Sequence, residues 1–230
     1  MEAKVMTPFQ LMVLQTLFDG GLRNRNYFFT GGTALSEFYL QHRYSDDLDI
    51  FTRVKRDMRT DYTEVKKVLE HKGLEVFSER EGDEFVRFFV RETGDLGKGL
   101  KVELCRDVGA QMSPPNVVEG VIVDSFEDIA VNKVCAIFGR TEIKDFVDLF
   151  FILQDSKFRL DYLVGRAKEK EAAFDTEDGA LEFATKVLGV KDLELHNIRM
   201  IKSLDINELR SSLVPEAETI IRRLRPIGTA

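Results

Sequence analysis

The feature that most constrains the fold is a change of hydrophobic period near residue 124 of the 230-residue chain. Before this point, short apolar runs of strand period, such as the alternate positions Leu100, Val102 and Leu104, are interspersed with helical segments. After it, apolar residues recur every three or four positions. The pattern predicts an α/β (α+β) lobe of about five strands with flanking helices over residues 1–124, followed by an all-helical lobe over residues 125–230.

Turn and cap signals divide the two lobes into elements. The runs Leu74–Arg80 and Phe85–Arg91 flank a short polar loop and indicate a hairpin, and Val117–Val123 reads as the last strand. Asp61 and Glu64 have the spacing of a capping box at the start of a helix. In the second lobe, helical spacing predicts helices over 143–153, 161–173, 177–188 and 215–225.

Composition narrows the classes of function. A net charge of −7 excludes a surface-wide basic field, so any nucleic-acid contact has to be local. Two local basic groups, which ordinary solvated faces explain at least as well, are Arg53, Lys55, Arg56 and Arg59, and Arg222, Arg223 and Arg225. Two isolated cysteines and three scattered histidines disfavour a disulfide framework and a zinc site. Without a membrane span or a signal peptide, we expect a cytoplasmic protein that does not bind membranes.

The most informative block runs from Thr30 to Phe51. A predicted strand ends at Thr30, Gly31-Gly32 forms a turn, and a helix follows. Glycines allow close approach of the backbone to a ligand, and a helix N-terminus offers free amide donors to phosphate. The later segment Asp47-Leu48-Asp49-Ile50 interleaves acids with aliphatic residues, which indicates a strand with both carboxylates on one face, about 7 Å apart.

Carboxylates in this arrangement suit a divalent cation. Mg²⁺, or Mn²⁺ in its place, takes one or two carboxylates and completes its shell with phosphates and waters. We expect Asp47 and Asp49 to be metal ligands, and Glu103, on the polar side of a neighbouring strand, to be a candidate third ligand. A solvated residue at a sheet edge is the alternative for Glu103. Other acid-x-acid pairs, such as Glu169/Glu171, lack the aliphatic interleaving.

These residues resemble the motifs of the AbiEii/AbiGii nucleotidyltransferase toxins, distant relatives of the polymerase-beta superfamily. The first motif is matched by Gly31-Gly32-Thr33-Ala34-Leu35 and by Arg43-Tyr44-Ser45-Asp46-Asp47-Leu48-Asp49. A Lys-x-x-Ala motif followed by Arg is matched by Lys133–Ala136 and Arg140, and the final motif by Lys144–Leu149. The motifs occur in the family's order.

The resemblance implies a polymerase-beta-like lobe with a mixed sheet, and a helical lobe that closes the nucleotide cleft. It implies an enzyme that transfers a nucleoside monophosphate from a nucleoside triphosphate (NTP) to an acceptor hydroxyl and releases pyrophosphate, with RNA such as tRNA as an acceptor and an AbiEi-like antitoxin as a partner. The residues it implies are Asp47, Asp49, Lys133 and Asp145 for catalysis, and Gly31, Gly32, Thr33, Ser45 and Lys133 for the nucleotide.

Three alternatives stay open. The same fold can serve a small-molecule acceptor, which net acidity favours, or a nucleotide-binding or interaction module without catalysis. Lys133 and Asp145, taken without the family, are better explained as an ordinary surface lysine and an acid at the start of a helix.

Overall fold

The computed structural model describes residues 4–224 and divides the chain into two compact units. The first contains the residues up to Val108 together with Ser113–Phe126, and the second contains Gly109–Met112 and the residues from Glu127 onward. Within the described residues the first unit holds every strand. In the same part of the chain, no helix is long and apolar enough to cross a membrane.

The first unit is built on a mixed sheet of seven described strands in the order β3-β4-β5-β2-β1-β7-β6. β2 runs parallel to β5 and β1 runs parallel to β7, whereas the other neighbours are antiparallel. The strands are β1 Tyr27–Thr30, β2 Leu48–Thr52, β3 Leu74–Glu81, β4 Phe85–Glu92, β5 Leu100–Arg106, β6 Asn116–Val118 and β7 Val121–Val123. The sheet confirms the predicted α/β class and has more strands than the five expected.

Three α-helices accompany the sheet: α1 Pro8–Leu17, α2 Gly31–Leu35 and α3 Met58–His71. α1 begins with a capping box between Thr7 and Gln10, and Pro8 occupies its first turn, where no helical N–H is lost. α2 continues as a π-helical segment to Leu40. The strand–turn–helix order predicted for the Gly31-Gly32 region is therefore confirmed.

Strand β2 lies near the middle of the sheet, between β1 and β5. Leu48 and Ile50 are fully buried, while Asp49 and Phe51 are partly exposed, so the strand alternates as the sequence predicts. Asp47 lies one residue before the strand. Apolar burial on one face therefore fixes the register that presents Asp49 on the other.

Two predictions in the first unit were wrong in detail. Val117–Val123 forms a hairpin of two strands, because Glu119 and Gly120 both adopt positive φ and reverse the chain. Helix α3 begins before Asp61: Asp57 is its cap and accepts from the Arg59 N–H. Asp61 is buried and accepts a hydrogen bond of 2.7 Å from the Tyr27 hydroxyl.

The second unit is helical in its described part. Its α-helices are α4 Phe126–Gly139, α5 Ile143–Asp155, α6 Leu160–Ala167, α7 Glu177–Leu188 and α8 Ile206–Leu224. α6 ends six residues before the predicted limit of 173, and a 3₁₀ turn follows over Ala172–Asp175. Helix α8 begins nine residues before the predicted start at Pro215, because the buried positions Leu209, Leu213 and Ala217 form one stripe across the proline. Residue 225 lies outside the described residues.

Candidate functional site

The Gly31-Gly32 turn is shaped by the side chains packed against it. Gly31 has φ +77°, and a Cβ at this position would lie 2.8 Å from Cγ of Asp49. A Cβ on Gly32 would collide with the guanidinium of Arg43 and lie 3.3 Å from Oγ of Ser45. The turn therefore requires glycine for two reasons: positive φ at Gly31, and direct approach of Asp49 and Arg43 to the backbone.

The backbone that leads into β2 is held by buried side chains. The Gln10 amide donates to the carbonyls of Ser45 and Asp46 at 3.0 and 3.1 Å, and the Thr33 hydroxyl donates to the carbonyl of Asp47 at 2.6 Å. Gln10 and Thr33 are both buried. Three consecutive carbonyls are thus fixed from α1 and α2, which restricts the position of Asp47 although it lies outside the strand.

Strand register brings the predicted acids to one face of the sheet. Thr30 of β1 pairs with Asp49, and Asp49 pairs with Glu103 of β5. Asp47 precedes Asp49 by two residues on the same side of the chain. We call Asp47, Asp49 and Glu103 the acidic cluster.

Lys101 and Arg87 are cations that contact the acidic cluster. The Lys101 ammonium lies 2.7 Å from Oδ2 of Asp47 and 3.5 Å from Oε1 of Glu103. Arg87 of β4 donates to the same Glu103 oxygen at 2.6 Å. Burial alone would lower the pKa of Lys101, but the hydrogen bond to Asp47 and the charges of Asp47, Glu103 and Asp49 raise it above its ordinary value.

The donors of the acidic cluster fit a hard divalent cation. They are all carboxylate oxygens, they share one face of the sheet, and a positive charge already lies between two of them. Among the described residues, however, no three His, Cys, Asp or Glu side chains are grouped closely enough to hold one ion. Glu103 is engaged by Arg87 and Lys101, so its role as third ligand stays a prediction, as do the roles of Asp47 and Asp49.

The second unit contains the other two predicted catalytic residues, in an ion-pair network. The Lys133 ammonium on α4 lies 3.0 Å from Asp145 and 2.7 Å from Asp148, both on α5. Arg140 donates to Asp145 at 2.8 Å. The side chains of both aspartates are fully buried, and Lys133 is 8% exposed. We call Lys133, Arg140, Asp145 and Asp148 the lysine cluster.

The cations of the lysine cluster favour the charged form of Asp145. Burial acts to raise the pKa of Asp145, but the charge of Lys133 and the hydrogen bond and charge of Arg140 hold it below its ordinary value. Lys133 is therefore not an ordinary surface lysine. In this conformation its ammonium is already bound by two carboxylates. The expectation that Lys133 and Asp145 face the acidic cluster stays a prediction.

Most arginines of the two predicted basic groups form ion pairs with neighbouring acids. Arg53, Arg56 and Arg59 each form ion pairs within the first unit. Their partners are Asp107 and Asp124 for Arg53, Asp61 for Arg56, and Asp57 and Asp83 for Arg59. Arg223 pairs with Asp161, and Arg225 lies outside the described residues.

Sequence reasoning missed the roles of two residues at these clusters, Lys101 and Asp148, and of Gln10, which holds the backbone before Asp47. Lys101 was visible as a polar position two residues before Glu103, and strand alternation alone places it on the same face. Asp148 was visible three residues after Asp145, at helical spacing. Gln10 carried no signal beyond its place in a capping box, because its contacts with Ser45 and Asp46 span more than thirty residues.

Comparison with known proteins places the chain among nucleotidyltransferases. The family model described as "Nucleotidyl transferase AbiEii toxin, Type IV TA system" matches residues 14–225. No curated protein matches the sequence. Among solved structures, JHP933 from Helicobacter pylori has a TM-score of 0.61 at 24% identity, with 96% of this chain and 95% of that chain covered. MenT4, a nucleotidyltransferase toxin from Mycobacterium tuberculosis, has a TM-score of 0.58 at 13% identity, with 92% and 83% covered.

The two structural likenesses show a shared fold over nearly the whole chain. The family match covers most of the sequence and includes every motif on which the resemblance was based. The chain therefore belongs to the AbiEii toxin family of type IV toxin–antitoxin systems and is a nucleotidyltransferase.

Proposed function

We propose that this chain transfers a nucleoside monophosphate from an NTP to an acceptor hydroxyl, with Asp47 and Asp49 as ligands of Mg²⁺ or Mn²⁺. The single observation that carries the proposal is the packing of the Asp49 carboxylate directly against Gly31, which joins the predicted metal position to the predicted phosphate turn. Glu103 is the neighbour of Asp49 in the sheet and is the proposed third acid, which would have to leave Arg87 and Lys101 to reach the metal.

The chain's own residues would bind and orient the triphosphate. The backbone amides of Gly31 and Gly32, at the start of α2, are the proposed phosphate donors, with the Ser45 hydroxyl beside Gly32. The Thr33 hydroxyl is committed to the Asp47 carbonyl, so its contribution to nucleotide binding would be its backbone N–H. A bound divalent metal would lower the pKa of the attacking hydroxyl and stabilise the leaving pyrophosphate.

The lysine cluster supplies the other proposed roles. Lys133 would contact the phosphates and Asp145 would lie near the acceptor hydroxyl. Lys133 now binds two carboxylates, so a phosphate contact requires the ammonium to exchange at least one of them for the nucleotide. Asp148 would then keep the ammonium in place while Asp145 turns to the acceptor.

The experiment that tests the proposal measures incorporation of each of four labelled NTPs into total RNA, with Mg²⁺, with Mn²⁺ or with a chelator. We expect metal-dependent incorporation by the wild type and none by Asp49→Asn, with thermal melts showing that both proteins are folded. Incorporation that persists in the chelator, or in Asp49→Asn, would contradict the metal assignment.

RNA such as tRNA is the acceptor that we propose, with an AbiEi-like antitoxin as partner. A small-molecule hydroxyl is a second candidate, because the net charge is −7 and Arg53, Arg56 and Arg59 are bound to acids of their own unit. The same assay separates the two: label in the RNA fraction supports the first, whereas label only in small molecules supports the second. Loss of transfer on adding the partner would support the antitoxin.

A further inference from the structure

We propose that Lys101 is a built-in counter-ion of the acidic cluster, which competes with the divalent metal and sets how tightly that metal binds. The proposal rests on the proposed function of Asp47 and Asp49. Lys101 carries no role in the family motifs matched above, and its ammonium bridges acids from two strands, Asp47 before β2 and Glu103 in β5.

Strand geometry dictates this position. β2 and β5 are parallel, with Leu48 beside Val102 and Asp49 beside Glu103. One residue earlier on each chain segment, Lys101 of β5 comes beside Asp47, the residue that directly precedes β2. Lys101 and Glu103 also share one side of β5, because side chains two residues apart in a strand point the same way. The ammonium therefore lies between the carboxylate of Glu103, fixed in the sheet, and that of Asp47, whose carbonyl is held by Thr33.

The charge balance favours competition over a purely structural ion pair. Three carboxylates on one face repel one another, and the Lys101 ammonium, beside Arg87 on Glu103, relieves part of that repulsion. A divalent cation bound to Asp47 and Asp49 would supply the same neutralisation more fully, and the ammonium would then be a positive charge next to another positive charge. Metal and ammonium therefore stabilise the same carboxylates and disfavour each other.

Arg87 and Lys101 differ in how firmly each is held at the acidic cluster. It binds Glu103 at 2.6 Å and Glu79 at 3.0 Å, so it is anchored outside the acidic cluster. The two ion-pair partners of Lys101 both belong to the acidic cluster, and its side chain is 28% exposed, which leaves room for the ammonium to move toward solvent. Of these two cations, Lys101 is therefore the one that a divalent metal can displace.

The experiment titrates the full-length chain with Mn²⁺ alone and measures free Mn²⁺ by electron paramagnetic resonance. Removing the ammonium in Lys101→Met is expected to tighten Mn²⁺ binding by on the order of tenfold, because a nearby positive charge is lost. Lys101→Arg keeps the charge and should bind Mn²⁺ like the wild type. Lys98→Met is the matched control, since Lys98 is exposed and lies over the Phe89 ring at 5.1 Å. Asp49→Asn should abolish the binding and so identifies the site.

Equal or weaker binding in Lys101→Met would overturn the proposal, and weaker binding would mean that Lys101 orients Asp47 for the metal. No measurable Mn²⁺ binding in either protein would overturn it as well. If thermal melts show that Lys101→Met is unfolded, Lys101→Gln is measured in its place. If Lys101→Met binds Mn²⁺ more tightly but the wild type transfers no nucleotide, only the proposed function is contradicted. If the wild type transfers nucleotide but Lys101→Met binds Mn²⁺ with unchanged affinity, only this inference is contradicted.

Discussion

The two clusters that carry the predicted catalytic residues differ in their contact with solvent. In the acidic cluster the side chains of Asp47 and Glu103 are 37% and 15% exposed. In the lysine cluster Asp145 and Asp148 are fully buried and Lys133 almost so. Charges in water contribute little to folding, whereas buried charges depend strongly on their partners. Substitutions in the acidic cluster are therefore expected to act mainly on chemistry, whereas the lysine cluster is expected to help hold the second unit together as well.

This difference changes how mutations are to be interpreted. Loss of activity on changing Asp47, whose side chain is 37% exposed, is expected to report on chemistry more than on stability, and we expect the same of Asp49. Loss of activity on changing Lys133 or Asp145 has two possible origins, and only a stability measurement separates them. Each of the following predictions tests that distinction.

The largest effect on stability is expected for Lys133→Met. Removing the ammonium leaves the buried Asp148 without this partner and leaves Asp145 with Arg140, and breaking a buried pair from one side costs about 3–5 kcal/mol. Chemical denaturation of the wild type and the variant measures the difference in the free energy of unfolding.

Lys144→Met is the matched control for that experiment. Lys144 lies one residue before Asp145, is 42% exposed and pairs with Glu142, so its loss should cost no more than about 1 kcal/mol. If Lys133→Met were as stable as Lys144→Met, the lysine cluster would not hold the second unit together, and the comparison between the clusters would fail.

A smaller effect on stability, joined to an effect on activity, is expected for Gly31→Ala. Positive φ costs a residue with a Cβ about 1–2 kcal/mol, and here the added carbon also displaces the Asp49 carboxylate. Gly73→Ala is the control, because Gly73 has φ +79° with no atom within 4 Å of the added carbon. Both variants should lose stability, measured by thermal melts, but only Gly31→Ala should lose nucleotide transfer. Equal transfer by the two would show that Asp49 is not needed where the structure places it.

The smallest stability change is expected for Thr33→Val, which keeps the shape and removes the hydroxyl bonded to the Asp47 carbonyl. The loss of one hydrogen bond costs about 1 kcal/mol. Transfer should fall mainly in kcat, because Asp47 is held less firmly while the nucleotide-binding backbone is unchanged. Thr33→Ser should restore both quantities. A fall in nucleotide affinity alone would instead show that Thr33 binds the nucleotide directly.

The sequence predicts those parts of the fold that depend on residues close together in the chain. Tyr27–Thr30, the Gly31-Gly32 turn and the alternation of β2 are local, and the structure confirms them. The hairpin at Glu119-Gly120 was missed because apolar residues continue on both sides of a two-residue turn. The start of α8 was misplaced because proline is typical of a first turn, whereas here the apolar stripe runs through Pro215.

The site is less predictable because its contacts are non-local. The face shared by Asp49 and Glu103 could be anticipated from alternation in two strands, but their pairing depends on the order of the sheet, which the sequence did not specify. The same holds for Gln10, whose partners follow it by 35 and 36 residues. The burial of Lys133 between two aspartates depends on the packing of α4 against α5, which periodicity alone does not give.

The most direct test of the central claim, that the acidic cluster serves chemistry rather than stability, combines two readings on Asp49→Asn. The substitution is nearly isosteric and removes one negative charge from a group of like charges, so the melting temperature should stay the same or rise. Metal-dependent nucleotide transfer should fall by on the order of 10²–10³-fold or more, because the group proposed to hold the metal at the phosphate turn loses its charge. A folded variant that retains wild-type transfer, or an unfolded variant, would contradict the claim.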